Sequence, residues 1–468
     1  VKPIALGLAA ALGLGLSGLA FPAGSQPPLG GEQPLLQDLA AEVSAARLQA
    51  SDTRLVGFGT RHTLSDTQSN TRGIGAARRW VASEFTALSQ ACGGCLRIET
   101  PSQAFTGPRV PAPAVVTDVL AIQPGTTDPG RVVIISAHID SRVSDPLDAR
   151  SAAPGANDDG SGVSAVLEAA RILSQRKFAA TIVYAVLSGE EQGLYGGKVL
   201  ADDAVAEGWR VEADLNNDII GNVQGIGGEI DNTHVRVFSE GARTNETPEQ
   251  ARTRQGAGGE LDSPSRNLTR YMQTLADRYL ADLEVRLMYR PDRFRRGGDQ
   301  MELLKQGFPA VRVTEAAENY TRQHQDVRVE GGVHYGDVLE GVDFPYLAKV
   351  TRLNVITLAA LASAPAPPSQ VELDGAVSPD TTVKWRKAPG AAAYRVWWRD
   401  TTEPRWRYSR VVPGAAGEAK LAGVNIDDWF FGVSSLSADG FESPVAAPGA
   451  SGSFDRLPPS APPAPSGK

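Results

Sequence analysis

Val132-Val133-Ile134-Ile135-Ser136-Ala137-His138-Ile139-Asp140 opens as an apolar strand and ends on an imidazole and a carboxylate. Beyond it come Asn157-Asp158-Asp159-Gly160-Ser161-Gly162 and a helical stretch. Val163, Val166, Leu167, Ala170 and Leu173 recur there at three- and four-residue spacing and so share one helix face. Thr181 to Leu187 reads as a second buried strand and Leu194 to Val205 as another helix. A third strand ends near Asp218, and Val235 to Phe238 reads as one more. A helix over Asn267 to Ala281, strands at Glu284 to Met288 and Ala310 to Val313, and a closing helix over Pro345 to Leu361 complete the series. Strands alternating with helices predict an α/β fold, a three-layer αβα arrangement around a mixed, mostly parallel sheet.

Upstream, Leu35 to Leu88 is mostly helical in pattern, broken by a polar turn at Ser65 to Gly73. Residues 35–361 form the expected main domain. Within it, Glu240 to Ser265 is polar, Gly-rich and aperiodic, and reads as a surface insertion. Residues 362–369 are Pro-rich and read as a linker. Beyond them Val383 to Trp385, Tyr394 to Trp398 and Phe430 to Ser434 are β-rich runs separated by turn signals, predicting a small all-β sandwich over 370–447. That alternation resembles a fibronectin type III module. Residues 448–468 are rich in Pro and Ser and read as a disordered tail.

The first 20 residues read as a signal peptide: Lys2, an apolar stretch from Ile4 to Leu19, and a small-x-small site at Gly18-Leu19-Ala20. The stretch falls short of the roughly 20 apolar residues a membrane span needs. A secreted or periplasmic location without an integral span is the expectation. Cys92 and Cys95, the two cysteines of the chain, are then expected to close a local disulfide. A redox pair should open a helix, whereas this one follows a helical pattern, and two thiolates make half a zinc site. Among 468 residues, 46 basic and 54 acidic side chains give a net charge of −8, without the basic footprint of a nucleic-acid binder.

Chemistry-bearing residues gather just after the strands, where open α/β sheets place their sites. They are His138 and Asp140, Asp158, Glu190-Glu191, Asp218, and His324 in the loop after the last strand. The chain has five histidines, and two of them fall in this set. Imidazole and carboxylate suit zinc. Two Zn²⁺ on neutral His138 and His324 with Asp158, Glu191 and Asp218 would be balanced by one bridging hydroxide, as a partly buried site needs. Asp140 can reach the distal ring N–H of His138 and fix its tautomer. Glu190 is then spare beside a ligand, placed to act as a general base.

The sequence resembles the two-zinc exopeptidases of the bacterial leucyl aminopeptidase, aminopeptidase Y and glutamate carboxypeptidase family. The matching segments are Ser136-Ala137-His138-Ile139-Asp140, Pro154 to Gly162, Ser188-Gly189-Glu190-Glu191-Gln192-Gly193-Leu194, Asp218 and His324. The resemblance implies His138 and Asp218 on one zinc, Glu191 and His324 on the other, Asp158 bridging, and Glu190 as catalytic base. It implies a secreted aminopeptidase that hydrolyses the N-terminal peptide bond of a peptide or protein with a metal-bridging water. A carboxypeptidase-like specificity and a metal-free binding or scaffold relative are the alternatives; a one-zinc glutaminyl cyclase would not need His138 with its partner Asp140.

Two departures stand out. Gln300 occupies the place of a histidine in Gly297-Gly298-Asp299-Gln300, and Arg295 or Arg296 replaces a tyrosine donor. Arg290, Arg293, Arg295 and Arg296 read either as a solvated loop or as forks for a substrate carboxylate, with Arg295 and Arg296 the substrate-binding candidates. Asp159 reads as a helix cap. His62 reads as a loop anchor, His234 as structural, and His334 as the competitor of His324. Trp397, Trp398 and Trp406 leave open polymer or cell-surface binding by the C-terminal domain, although alternation sends one of the adjacent pair inward.

Overall fold

The computed structural model describes residues 31–458. The signal-peptide stretch and residues 459–468 of the tail lie outside that range. The first ten strands of the main domain are β1 (Arg97–Glu99), β2 (Ser102–Gly107), β3 (Val110–Thr117), β4 (Val119–Gln123), β5 (Asp128–His138), β6 (Ala180–Leu187), β7 (Arg210–Asn217), β8 (His234–Phe238), β9 (Glu284–Met288) and β10 (Ala310–Glu315). Eight of them form one sheet in the order β1-β4-β6-β5-β7-β10-β8-β9, and β2 pairs with β3 as a hairpin. The central strands β6, β5, β7 and β10 run parallel, whereas β1, β4 and β8 join antiparallel. The sheet is mixed, with a parallel heart.

Side-chain alternation along β5 explains the layering. Val133, Ile135 and Ala137 face one core and Val132 and Ile134 the other. The first core is covered by α1 (Pro34–Ala41), α2 (Ala45–Val56), α3 (Gly73–Ala91), α4 (Gly162–Leu173), α8 (Pro264–Tyr279) and α10 (Phe344–Ser363). The second is covered by α6 (Tyr195–Ala206) and α9 (Gln300–Lys305), through Leu200, Ala204, Leu303 and Leu304. Both faces are covered, so the central strands are rich in apolar residues, with Asp214 in β7 and Arg312 in β10 as buried exceptions.

The structure adds elements to the sequence reading. β2 and β3 escape it because Pro111 and Pro113 interrupt an exposed ribbon. Within the polar insertion, α7 (Pro248–Gly256) buries no side chain and is held by a capping box in which Thr247 and Gln250 bond reciprocally. Cys92 and Cys95 are disulfide-bonded.

The C-terminal module has six strands: β13 (Ser369–Asp374), β14 (Thr381–Arg386), β15 (Ala393–Asp400), β16 (Tyr408–Pro413), β17 (Glu418–Leu421) and β18 (Trp429–Leu436). A short hairpin, β11 (Arg328–Glu330) with β12 (Val333–Tyr335), precedes them in the chain. The six strands form two antiparallel sheets, β13-β14-β17 and β16-β15-β18, over a core of Val383, Trp385, Tyr394, Val396, Phe431 and Val433. The Pro-rich linker is no free spacer: Ala364, Pro365, Pro367 and Pro368 are buried, and Arg131 donates to the Ala364 carbonyl. Residues 448–458 correct the disordered-tail reading. Phe454 and Leu457 are buried, and Arg243 donates to the carbonyls of Ser453 and Asp455.

The sandwich docks through β15. Arg399, fully buried, forks both oxygens of Asp262 at 2.8 and 2.9 Å, and Arg270 reaches the same carboxylate at 2.8 Å. Trp406 donates to Asn267 at 3.1 Å between the Arg399 and Arg270 guanidiniums. Trp397 donates to Ser434 and carries Arg395 over its ring, while Trp398 packs partly on the sandwich core. The three tryptophans are half-buried and split between the joint and the core, so they do not form a single exposed surface.

Asp214 in β7 gives a stability test. Ser136 donates to one of its oxygens at 2.8 Å, the other has no partner, and burial pushes its carboxyl up from 3.8 to about 8. Folded Asp214 keeps a proton that the unfolded chain releases. Stability is therefore full below pH 3.8 and is lost as pH rises toward about 8. Asp214→Asn is expected to flatten the fall in urea midpoint between pH 5 and 8. Parallel curves for the two proteins would count against the assignment.

Candidate metal centre

Four adjacent parallel strands carry the chemistry at one edge. His138 ends β5, Glu190 and Glu191 follow β6, Asp218 follows β7, and the segment to His324 follows β10. Register aligns these ends: His138 sits opposite Leu187 and Asn217 opposite Val313. The loop carrying Asp158 enters between them, just before α4. Gly189 takes φ 77° to turn the chain from β6 into the short α5 (Glu190–Gly193). Gly155 takes φ 55°, and a side chain there would strike the Asp158 carbonyl and Ser141.

Buried carboxylates tie the ends together. Asp159 accepts the main-chain N–H groups of His138, Gly162 and Ile219, so it is a helix cap that also clips β5 to the exit of β7. Asp337 accepts from the N–H groups of Asn157 and Asp158, and burial pushes it up to about 7. Asn157 donates to Glu315 at the end of β10. The peptide bond between Asp158 and Asp159 is cis.

The two oxygens of Asp158 face different histidines. Oδ1 is 3.2 Å from His138 Nε2, and Oδ2 is 3.0 Å from His324 Nε2. Asp218 Oδ2 lies 4.0 Å from His138 Nε2, and Glu191 Oε1 lies 3.0 Å from His324 Nε2. Two triads result, His138–Asp158–Asp218 and Asp158–Glu191–His324, each with ligand atoms within 4.8 Å of one another. His138 Nε2 and Glu191 Oε1 are buried without a hydrogen-bond partner. Atoms that converge closely yet do not bond one another fit a shared cation. The imidazole and carboxylate donors are those zinc takes. Burial opposes charge on both rings, yet the carboxylates pull the imidazoles up, His324 to about 10. The cluster draws positive charge.

Asp140 departs from its expected contact. His138 Nδ1 lies 3.0 Å from the Asp140 main-chain oxygen, against 3.6 Å from its carboxylate. The tautomer is therefore fixed by the backbone, while the carboxylate accepts from Thr63 and from the N–H groups of Glu190 and Glu191. Glu190 is half-buried on the wall of the same cavity, and burial pushes its carboxyl well up. That cavity measures about 750 Å³ and is lined by Asp158, Glu190, Glu191, Asp218 and His324 and by a group of arginines that includes Arg295 and Arg296.

Gln300 is buried, accepts from Asn216 and donates to Asp292, so it braces a loop. His62 anchors its loop at the Pro146 carbonyl, His234 pairs with Asp231, and His334 sits exposed in the β11–β12 hairpin. Two arginines were missed. Arg142 bonds Glu191 Oε2 at 2.7 Å and reaches His324 Nδ1 at 2.7 Å. Arg312, fully buried in β10, lies 2.5 Å from Asp218 Oδ2; burial opposes its charge, but Asp218 and Asp292 push its pKa above the usual range. A charge inside the apolar run Ala310 to Val313 was the signal for it.

A sequence model of peptidase family M28 matches residues 118–328, the stretch that holds all five candidate ligands. The chain is 41% identical over 419 residues to a protein of Leptosphaeria maculans described as a probable zinc metalloprotease, covering 88% of this chain and 96% of that one. A protein of Pyricularia oryzae with the same description is 41% identical over 423 residues, covering 88% of this chain and 84% of the other. Among solved structures, LapB from Legionella pneumophila shares the fold at a TM-score of 0.52 and 18% identity, over 71% of this chain and 76% of that one. The Legionella pneumophila LapA aminopeptidase aligns at 0.50 and 18%, over 74% and 77%.

Proposed function

The chain belongs to peptidase family M28 and is a zinc metalloprotease, and from that premise we propose an extracytoplasmic aminopeptidase with two zinc ions. The observation that carries the two-ion reading is Asp158, whose oxygens each face one histidine of a separate triad. His138 and Asp218 would hold one ion, Glu191 and His324 the other, with Asp158 facing both. Zinc bound there supplies Lewis acidity for a scissile carbonyl and makes a water nucleophilic near neutral pH. Glu190 takes the proton as the water oxygen bonds to the carbonyl carbon. It returns that proton to the amine nitrogen as the C–N bond breaks. Asp140 holds the start of α5 by two N–H groups and so fixes where Glu190 points. LapA, which shares the fold, is described as an aminopeptidase, and that supports the aminopeptidase reading. The Cys92–Cys95 disulfide supports an oxidising compartment. The C-terminal sandwich we read as a fibronectin type III-like module.

Blocking the substrate amine is the test. Acetylating the N-terminus of a peptide is expected to lower kcat/KM by about 10⁴-fold, since the site's buried polar groups then lose their partner. Equal cleavage of free and acetylated peptides would overturn the aminopeptidase reading and leave the zinc peptidase standing.

A further inference from the structure

The floor of the cavity is acidic, but its rim is not. Arg109 from the β2–β3 hairpin, Arg142 from the loop after β5, and Arg293, Arg295 and Arg296 from the loop before α9 all line it. Four carboxylates also line it, Asp158, Glu190, Glu191 and Asp218, and two divalent cations would balance them. Five guanidiniums are then in excess.

Their existing partners separate structural arginines from available ones. Arg109 donates to the Glu191 carbonyl and Arg142 to its carboxylate, so both are spent on holding a ligand. Glu318 alone serves three guanidiniums, Arg236 at 2.7 Å, Arg296 at 3.2 Å and Arg293 at 3.6 Å. The last separation is too long for a hydrogen bond; Arg293 Nε donates to Asp292 at 3.3 Å and Nη2 to the Gly297 carbonyl at 3.5 Å, while Nη1 has no partner although the side chain is only 9% exposed. A buried donor left unmade is costly until something accepts from it. Arg293 also stands 3.9 Å from Asp218 Oδ2, beside the first triad. Arg295 rests over the Phe294 ring, at 5.2 Å, and pairs with no carboxylate among the described residues.

We propose that the cleft recognises a carboxylate on its substrate, accepted chiefly by Arg293 with Arg295 and Arg296 beside it, so that the preferred substrates are acidic or short peptides. This rests on the aminopeptidase reading: the metal centre takes the amine end of the substrate and the basic rim takes the anion. Arginine suits the task because its planar fork matches a carboxylate in two parallel bonds. A wall of one sign also draws the anion in before contact. The carboxylate has two sources, the side chain of an Asp or Glu residue and the free C-terminus of a short peptide.

Two matched pairs distinguish them with the zinc-loaded enzyme: Glu-4-nitroanilide against Gln-4-nitroanilide, and Ala-Ala against Ala-Ala-amide. We expect kcat/KM about tenfold or more higher for the charged member of one pair, decreasing in high salt. Preference in the first pair assigns the side chain, in the second the C-terminus, and either supports the proposal. Arg293→Gln, and separately the exposed pair Arg295→Gln with Arg296→Gln, should bring the ratio toward one, with zinc content checking that each variant is intact. Glu190→Gln protein, titrated by calorimetry with Glu-Ala-amide and Gln-Ala-amide, reads affinity without turnover. Hydrolysis of all four substrates without preference, with equal affinities, overturns the proposal and leaves the aminopeptidase reading. Cleavage of acetylated peptides alone overturns that reading, and the calorimetric pair still decides the carboxylate.

Discussion

Glu190→Gln is expected to lower kcat by about 10²–10⁴-fold, the usual worth of a positioned acid–base group, without changing zinc content. Glutamine keeps the shape and the main-chain bonds to Asp140 that start α5, because those bonds use the N–H groups of residues 190 and 191. Neither triad includes Glu190, so the ligand sets are untouched. What the substitution removes is the oxygen able to carry a proton from water to the departing amine. Steady-state kinetics with metal analysis on the same preparation checks it. Turnover within threefold of the parent would remove Glu190 from the reaction.

Asp158→Ala should have the opposite profile, with metal lost first and activity as a consequence. A group that merely orients a ligand is worth about 10–100-fold in metal affinity. Asp158 itself belongs to both triads, so its loss should exceed about 100-fold at each and reduce bound zinc toward zero after dialysis against a weak chelator. Asp218→Ala touches one triad and should spare the other ion. Retention of one tight zinc in Asp158→Ala would show that its oxygens do not serve two ions.

Much of this was legible in the sequence for a physical reason. Strands β5 and β6 are buried on both faces along Val132 to Ile135 and Thr181 to Leu187, so those stretches are apolar runs, whereas β7 carries buried polar residues such as Glu212 and Asp214. Polar residues at their ends then stand out against that background, as His138, Glu191 and Asp218 do. The contacts that were not legible are those between loops. Arg142 meets His324 across 182 residues, and no local pattern encodes that encounter. Asp140 shows a finer limit: the sequence can place a residue beside His138 but not choose between its carboxylate and its carbonyl. Arg399 and Asp262, 137 residues apart, were equally hidden. The polar helix α7 lacked an apolar stripe, and its local traces were the Thr247 to Gln250 cap, Pro248 at its start and the charges Glu249 and Arg254 in its first and last turns. Gly307 and Gln306 at the entry of β10 meet Leu457 and Arg456, which fixes those two residues at the opposite end of β10 from the segment to His324.

The buried Arg399–Asp262–Arg270 joint carries a geometric consequence. A sandwich locked there cannot swing on a tether. The sandwich and the cleft therefore keep one bearing and one range from each other, like two fittings on a single rigid frame.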